Sequence, residues 1–385
     1  MTTEHSGIVP EKIGVAVLGA GERARGVVKN LIRDSAGGAR VVSVYDPDAA
    51  AAEEARRYWD ASGACLADTV DEALRTPGAQ WAMIFSPNAF HREQILAAFA
   101  AGLHVFSEKP LATTIEDCVA IHEAHARSGR LFATGFVLRY APLYREIKRL
   151  LEFGGFGPIV SISASENITP AHGGYIMANW RRHTRIAGPH ILEKCCHDLD
   201  LINWFCDDLP RRAAAFGGLD VFTPDHQWMF EKYGGAGTFL AWRDPHRAES
   251  PFTSEKDLMD NLVGLLEYRR GPRVTFQATM CNAIPERRMY IACLEGTLIG
   301  ELYSGRLQCA RIGESPREIV LPGGGHGGGD EYIMKELWET MTRGTPPKCG
   351  GEEGLRSAVV ALALDQAARE GRTVDLEPIW SSLGR

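Results

Sequence analysis

Eight consecutive residues, EKCCHDLD at 193–200, bring together three carboxylates, an ammonium, two adjacent thiols and an imidazole. Such a set can bind a metal, cycle a thiol pair or move protons. Drawn as a helix over 190–204 at about 100° per residue, Glu193, His197, Asp200 and Trp204 share one face, with Lys194 at its shoulder. Ile191, Leu192, Cys195, Leu199 and Ile202 form the opposite, apolar stripe. Glu193 and His197 lie four apart, where helical side chains meet. A carboxylate there raises the imidazole pKa and fixes its tautomer, which suits a general base near neutral pH. Zinc cysteines are usually spaced by two to four residues, and adjacent helical cysteines diverge, so no metal is expected. C-C is not the C-x-x-C of a redox pair. Cys195 reads as a small packing residue, and Cys196 is left open. The plain alternative is the wet side of an amphipathic helix.

The elements that must position this set divide the chain in two. Ile13 to Leu18 is an apolar run that breaks into GAGERARG, followed by a helical pattern and a second run, Arg40 to Tyr45, ending on Asp46. This is a βαβ unit. Apolar strands (WAMIFS, HVFSEKP, RLFATGF) then alternate with amphipathic helices, one of them stopped by Gly129. That pattern implies a parallel sheet covered on both faces. Beyond Val137, alternating runs in PIVSISASE, GLLEYRRGPRVTFQATM and MYIACLEGTLIGELYSGRLQCARI predict an antiparallel sheet, with two helices closing the chain. RDPHRAESPFTSEK, 243–256, reads as a loop. The expectation is an α/β chain: a dinucleotide-binding domain over 12–137 and an α+β domain on a mainly antiparallel sheet over 138–385.

In GAGERA, Gly19 permits a tight turn, Gly21 lets backbone approach a pyrophosphate, and Ala24 is small enough for helix and strand to pack. The amides of Glu22 and Arg23 then face phosphates at a helix N-terminus. Asp46 closes the next strand, where an acid can hold the ribose hydroxyls and repel a 2′-phosphate, so NAD is favoured over NADP. A glycine turn and an N-capping aspartate are the ordinary alternatives.

With FSPNAFH (85–91) and SEKP (107–110) added, the chain resembles the Gfo/Idh/MocA oxidoreductases, the glucose–fructose oxidoreductase and inositol dehydrogenase family. The resemblance implies a Rossmann fold, and that Ser86, Pro87 and Asn88 line the nicotinamide side with His91 nearby. It implies that Glu108 lies by the nicotinamide ribose and that Lys109 reaches the reacting hydroxyl. His197 matches the family's catalytic histidine, and Glu193 stands where the family has aspartate. The implied chemistry is hydride transfer from a secondary carbinol of a sugar, sugar derivative or cyclitol, with His197 as base, Lys109 orienting the oxygen and Glu193 holding His197 or binding a neighbouring hydroxyl.

Arg139, Tyr140, Trp180, Arg181 and Lys194 are candidate substrate contacts, with a junction salt bridge the alternative for Arg139 and packing for Trp180. His172 and His190 are read in nearby glycine-flanked loops. His326 and Asp330, in GGGHGGGDE, read as a flap or, for Asp330, a helix N-cap. Competing functions are an NAD-dependent glycosidase working by transient oxidation and elimination, and a non-catalytic sensor. A sensor would need neither Lys109 nor His197. A net charge of −7 without long runs offers nothing for nucleic acid or an anionic membrane. Nine scattered cysteines and an N-terminus lacking an apolar h-region read as a cytoplasmic protein. The resemblance also implies a homo-oligomer, a dimer or tetramer.

Overall fold

The computed structural model describes residues 12–385 apart from 243 and 245. The leader before residue 12 and the first residue of the 243–256 loop lie outside the described residues. Six strands form the first sheet: β1 (Ile13–Leu18), β2 (Ala39–Tyr45), β3 (Cys65–Leu66), β4 (Ala79–Ile84), β5 (His104–Ser107) and β6 (Phe132–Thr134). All pair in parallel, in the order β3-β2-β1-β4-β5-β6. Val15 to Leu18 are wholly buried because helices cover both faces, which is why the strand reads as an unbroken apolar run. The helix Glu22–Asp34 buries Ala24, Val27, Val28 and Leu31, one stripe at helical spacing. The strand order reverses between β1 and β4, opening a crevice beyond their carboxyl ends.

The second sheet has nine strands: β7 (Ile159–Asn167), β8 (Pro210–Gly218), β9 (Asn261–Tyr268), β10 (Arg273–Thr279), β11 (Glu286–Cys293), β12 (Gly296–Glu301), β13 (Arg306–Arg311), β14 (Arg317–Val320) and β15 (Val374–Asp375). Their order is β14-β13-β12-β11-β7-β10-β9-β8-β15, and only β7 and β10 run parallel. Strict alternation on β10 buries Val274, Phe276 and Ala278 and turns Arg273, Thr275 and Gln277 outward. β8 and β15 escape the sequence reading. PRRAAAFGG has no β-branched residue, and long-range pairing with β9 makes it a strand.

The chain's last helices return to the first sheet. Helix Gly351–Glu370 starts against β6: a Cβ on Gly351 would lie 2.6 Å from the Phe132 ring, and one on Gly354 3.1 Å from Leu111. Thr134 donates its amide and its hydroxyl to the carbonyls of Cys349 and Gly350, both at 3.0 Å. Helix Asp330–Arg343 packs along Glu22–Asp34, its Trp338 ring filling the space beside Gly38.

At this junction Arg139 donates two 2.7 Å hydrogen bonds to Asp200, which is 2% exposed, and its guanidinium lies over Trp204. Tyr140 is buried beside Glu336. Both residues are therefore occupied in joining elements, as in the junction salt bridge given as the alternative for Arg139. Arg139→Ala should strand a buried carboxylate and cost about 3–5 kcal/mol in denaturant unfolding. Replacing the pair together, Arg139→Met with Asp200→Leu, should recover most of that loss.

Candidate active site

The glycine turn after β1 leaves little freedom at its first position. Gly19 has φ +89°, and a Cβ there would lie 2.7 Å from the Ser86 amide nitrogen. Ala20 donates its amide to Asp46 Oδ2 at 2.8 Å, and Asp48 donates to Oδ1 at 2.9 Å, so the acid at the end of β2 is held beside the turn. Nothing lies within 4 Å of a Cβ built on Gly21, the residue that opens helix Glu22–Asp34. Open ground above unpaired first-turn amides accommodates a pyrophosphate, and Ala24, fully buried, allows the close packing behind it. These residues fit a dinucleotide.

Beyond β4 and β5 the loops are braced from within. Ser86 donates its hydroxyl to Gln94, and His91, wholly buried, sits with its ring nitrogens 2.8 Å from the Pro110 carbonyl and 3.0 Å from that of Ser86. Asn88, after Pro87, donates to the Ala187 carbonyl at 2.7 Å and so ties this loop to the approach to residue 193. Glu108 accepts from Arg23 Nε at 2.6 Å, and Arg23 also donates to Asp330 at 2.7 Å.

The EKCCHDLD stretch is not one helix. Helix His190–Glu193 ends at once, Lys194 and Cys195 form a break, and helix Cys196–Cys206 starts afresh. The expected Glu193–His197 contact is therefore replaced. Arg181 Nε donates to Glu193 Oε1 at 2.9 Å, and Lys109 Nζ lies 3.8 Å from the same oxygen while donating to the Glu193 carbonyl at 2.6 Å. Burial would push the Glu193 carboxyl up, but Lys109 and Arg181 outweigh it and hold the group well below the usual range.

Among the described residues His197 is left without a carboxylate partner. It is 3% exposed, its Nδ1 has no hydrogen-bond partner, and its ring meets Phe136 and His326 edge-on at 5.8 and 6.0 Å between centroids. Burial, then the charges of Lys109, Arg287 and Lys194, push its pKa well down, the reverse of the expected rise.

Arg181 stacks on Trp180 at 4.2 Å and donates to the Tyr175 hydroxyl and Asn179 Oδ1, both at 3.0 Å. Lys194 turns inward, 3.7 Å from Glu166, which also lies 3.1 Å from Arg287; Arg287 in turn forks onto Asp198. Sequence reasoning missed this buried network, although the signal was present. Glu166 and Arg287 are register partners on β7 and β11, and alternation puts both charges on the inward face. His172 and His190 lie on helices rather than loops, and burial keeps them neutral, with pKa values pushed down to about 2 and about 4. The 323–329 segment is not a free flap. A Cβ on Gly329 would lie 2.4 Å from the Val137 carbonyl, and Gly329 itself caps the helix while Asp330 accepts from His326 Nδ1 at 2.6 Å and from Arg23.

Among the described residues no group of three or more His, Cys, Asp or Glu is placed to hold a metal. Burial pushes the Cys196 thiol up to about 12 and Cys195 further, so neither is a thiolate near neutrality.

The strand order, the glycine turn and the acid ending β2 define the first sheet as a dinucleotide-binding domain of the oxidoreductase kind. Residues 13–136 match the oxidoreductase family with an NAD-binding Rossmann fold, residues 148–376 match that family's C-terminal alpha/beta domain, and the chain belongs to this family, GFO_IDH_MocA. It is 40% identical over 233 residues to an inositol 2-dehydrogenase of Streptomyces avermitilis, a match covering 58% of this chain and 64% of that protein. A 1,5-anhydro-D-fructose reductase of Ensifer adhaerens is 25% identical over 374 residues, 94% of this chain and 98% of the reductase. A levoglucosan dehydrogenase, solved in complex with NADH and levoglucosan, shares the fold with a TM-score of 0.80 at 17% identity, covering 95% of this chain and all of that one.

The depressed Glu193 carboxyl sets a pH signature. The unfolded chain takes up this proton first, so the stability it contributes is present above the ordinary glutamate pKa of about 4.3 and is lost as pH falls below it. Glu193→Gln should be less stable than the parent at pH 7 but lose less on acidification below about pH 4.5. Parallel unfolding curves for the two proteins across that window would refute the pairing.

Proposed function

We propose that the protein transfers hydride between NAD and a secondary hydroxyl of a sugar, sugar derivative or cyclitol. The observation that carries this is the meeting of Lys109, from the end of β5, with the Glu193 carbonyl, which sets the lysine and the histidine-bearing segment around one crevice. The dinucleotide, when bound, supplies the hydride acceptor. Lys109 donates to the reacting oxygen and stabilises its developing negative charge. His197, neutral and enclosed, takes the hydroxyl proton at a ring nitrogen. Trp180, half-buried under Arg181, offers an aromatic face to a sugar ring. The dehydrogenase and reductase named among the relatives act, by those names, on a cyclitol and a sugar derivative.

The Asp46 carboxylate, fixed by two backbone amides, supports NAD over NADP, because a 2′-phosphate would meet it directly. Absorbance at 340 nm with NAD or NADP and a panel of sugars, glycosides and cyclitols should rise with one polyol class and faster with NAD. No rise with any substrate would sink the dehydrogenase reading, and equal rates with the two nucleotides the role of Asp46.

No helix among the described residues is long and apolar enough to cross a membrane. Nine free cysteines support a reducing cytoplasm, which cell fractionation would check. The outer face of the second sheet carries Val263 and Leu265 on β9, Phe216 on β8 and Tyr290 on β11, all exposed. The apolar patch that Phe216, Val263 and Leu265 make across the adjacent strands β8 and β9 supports pairing with a second copy of the chain. Light scattering should give a dimer or tetramer, and Leu265→Glu should shift it toward monomer; an unmixed monomer in the parent would remove this proposal.

A further inference from the structure

The site as built has a proton it cannot keep. His197 faces Lys109, Arg287, His326 and Lys194, has no carboxylate partner among the described residues, and is 3% exposed, with its Nδ1 buried and unpaired. An imidazolium formed there during oxidation sits among like charges and must be discharged before the next turnover. The neighbour able to receive the proton is His326, whose ring lies 6.0 Å from that of His197 at 63°, a separation that a single bridging water spans. Its side chain is 30% exposed against 3% for His197, so it meets water far more freely.

His326 is also oriented for the task. Its Nδ1 lies 2.6 Å from Asp330 Oδ2, which fixes the Nδ1–H tautomer and turns the Nε2 lone pair outward. Asp330 is itself held by Arg23 Nη1 at 2.7 Å, and Arg23 Nε by Glu108 at 2.6 Å. The line His326–Asp330–Arg23–Glu108 therefore runs from the glycine-rich segment before residue 330 to the loop that carries Lys109. The groups facing His326 are Asp330 on its own segment, Arg23 from helix Glu22–Asp34, and His197 and Lys194 from the EKCCHDLD stretch. Burial lowers its pKa, the nearby Asp330 carboxylate opposes that, and Arg23 and Lys194 add smaller repulsions.

We propose that His326, oriented by Asp330, is the relay through which the proton taken by His197 leaves the site. The inference rests on the dehydrogenase reading above. In the oxidising direction the carbinol C–H bond breaks with its electron pair leaving as hydride to NAD, and the O–H bond breaks with its pair forming the second carbon–oxygen bond. The released proton passes to His197, from His197 to His326 Nε2, and from there to water. Reduction runs the same line inward.

His326→Ala should lower kcat on the order of 10²-fold, leave NADH binding by fluorescence within about twofold, and regain most of its rate when imidazole is added to the buffer. His326→Gln, which keeps the side-chain volume, should be equally slow and equally rescued. Asp330→Asn should slow the enzyme less. Either His326 variant turning over at the parent rate, or a folded variant whose loss imidazole does not repair, overturns the relay. A second measurement needs no substrate. In protein labelled with 15N-histidine, with resonances assigned from the His197→Ala and His326→Ala variants, His326 should take up its proton at higher pH than His197. The reverse order overturns the relay even if the 340 nm assay succeeds. The expected order together with a silent assay would fault the dehydrogenase reading instead.

Discussion

A carboxylate as enclosed as Glu193 has to be paired, and the partners it finds are Arg181 from its own domain and Lys109 from the end of β5. Both sides of the crevice are tied by that choice. Lys109 is pulled toward the second domain, onto the Glu193 carbonyl. His197 loses the carboxylate that its spacing promised, and burial, then the surrounding cations, keep it neutral. Beneath, Lys194, Glu166, Arg287 and Asp198 alternate in sign, so that a patch of buried charge remains close to balanced. Breaking one member of such a set would leave an uncompensated charge in a low-dielectric interior.

The crevice is completed from far along the chain. Helix Asp330–Arg343 lies along the helix that follows the glycine turn, and helix Gly351–Glu370 reaches from β6 to β8, with Ser357 donating to the Cys196 carbonyl at 2.6 Å. The turn that would carry a nucleotide and the segment that carries His197 are thus packed against the same C-terminal pair of helices. Arg23 joins them again at the level of side chains, through Asp330 and Glu108.

The parts of this arrangement that sequence made legible are those governed by local rules. The β1–turn–helix unit follows from an apolar run, a glycine with forced φ and a stripe at helical spacing. The stop at Gly129, with φ +62°, follows from the one residue type that adopts that conformation freely. Lys109, Glu193 and Arg181 stand out by residue type, and the structure brings them together. What was illegible depends on distant partners. The break at Lys194 and Cys195 has no glycine or proline inside it; the charges of Lys194 and Glu193 are drawn to opposite sides, toward Glu166 and toward Arg181. β8 exists because β9 and β15 flank it. Arg139 looked available because Asp200 is distant in sequence, and the segment before Asp330 read as a flap because Val137 and Arg23, which hold it, are distant too.

The join between β6 and the start of the last long helix bears on how the molecule comes into being. Thr134 and Gly350 are bonded although 216 residues separate them, and Leu111 and Phe132 reach full burial only under Gly351 and Gly354. On the ribosome the amino-terminal sheet can pair its strands early, but one flank stays apolar and uncovered until nearly the whole chain has been made. A half-finished nascent chain therefore carries a sticky surface along the β6 edge of the sheet, and synthesis of helix Gly351–Glu370 is the event that closes it.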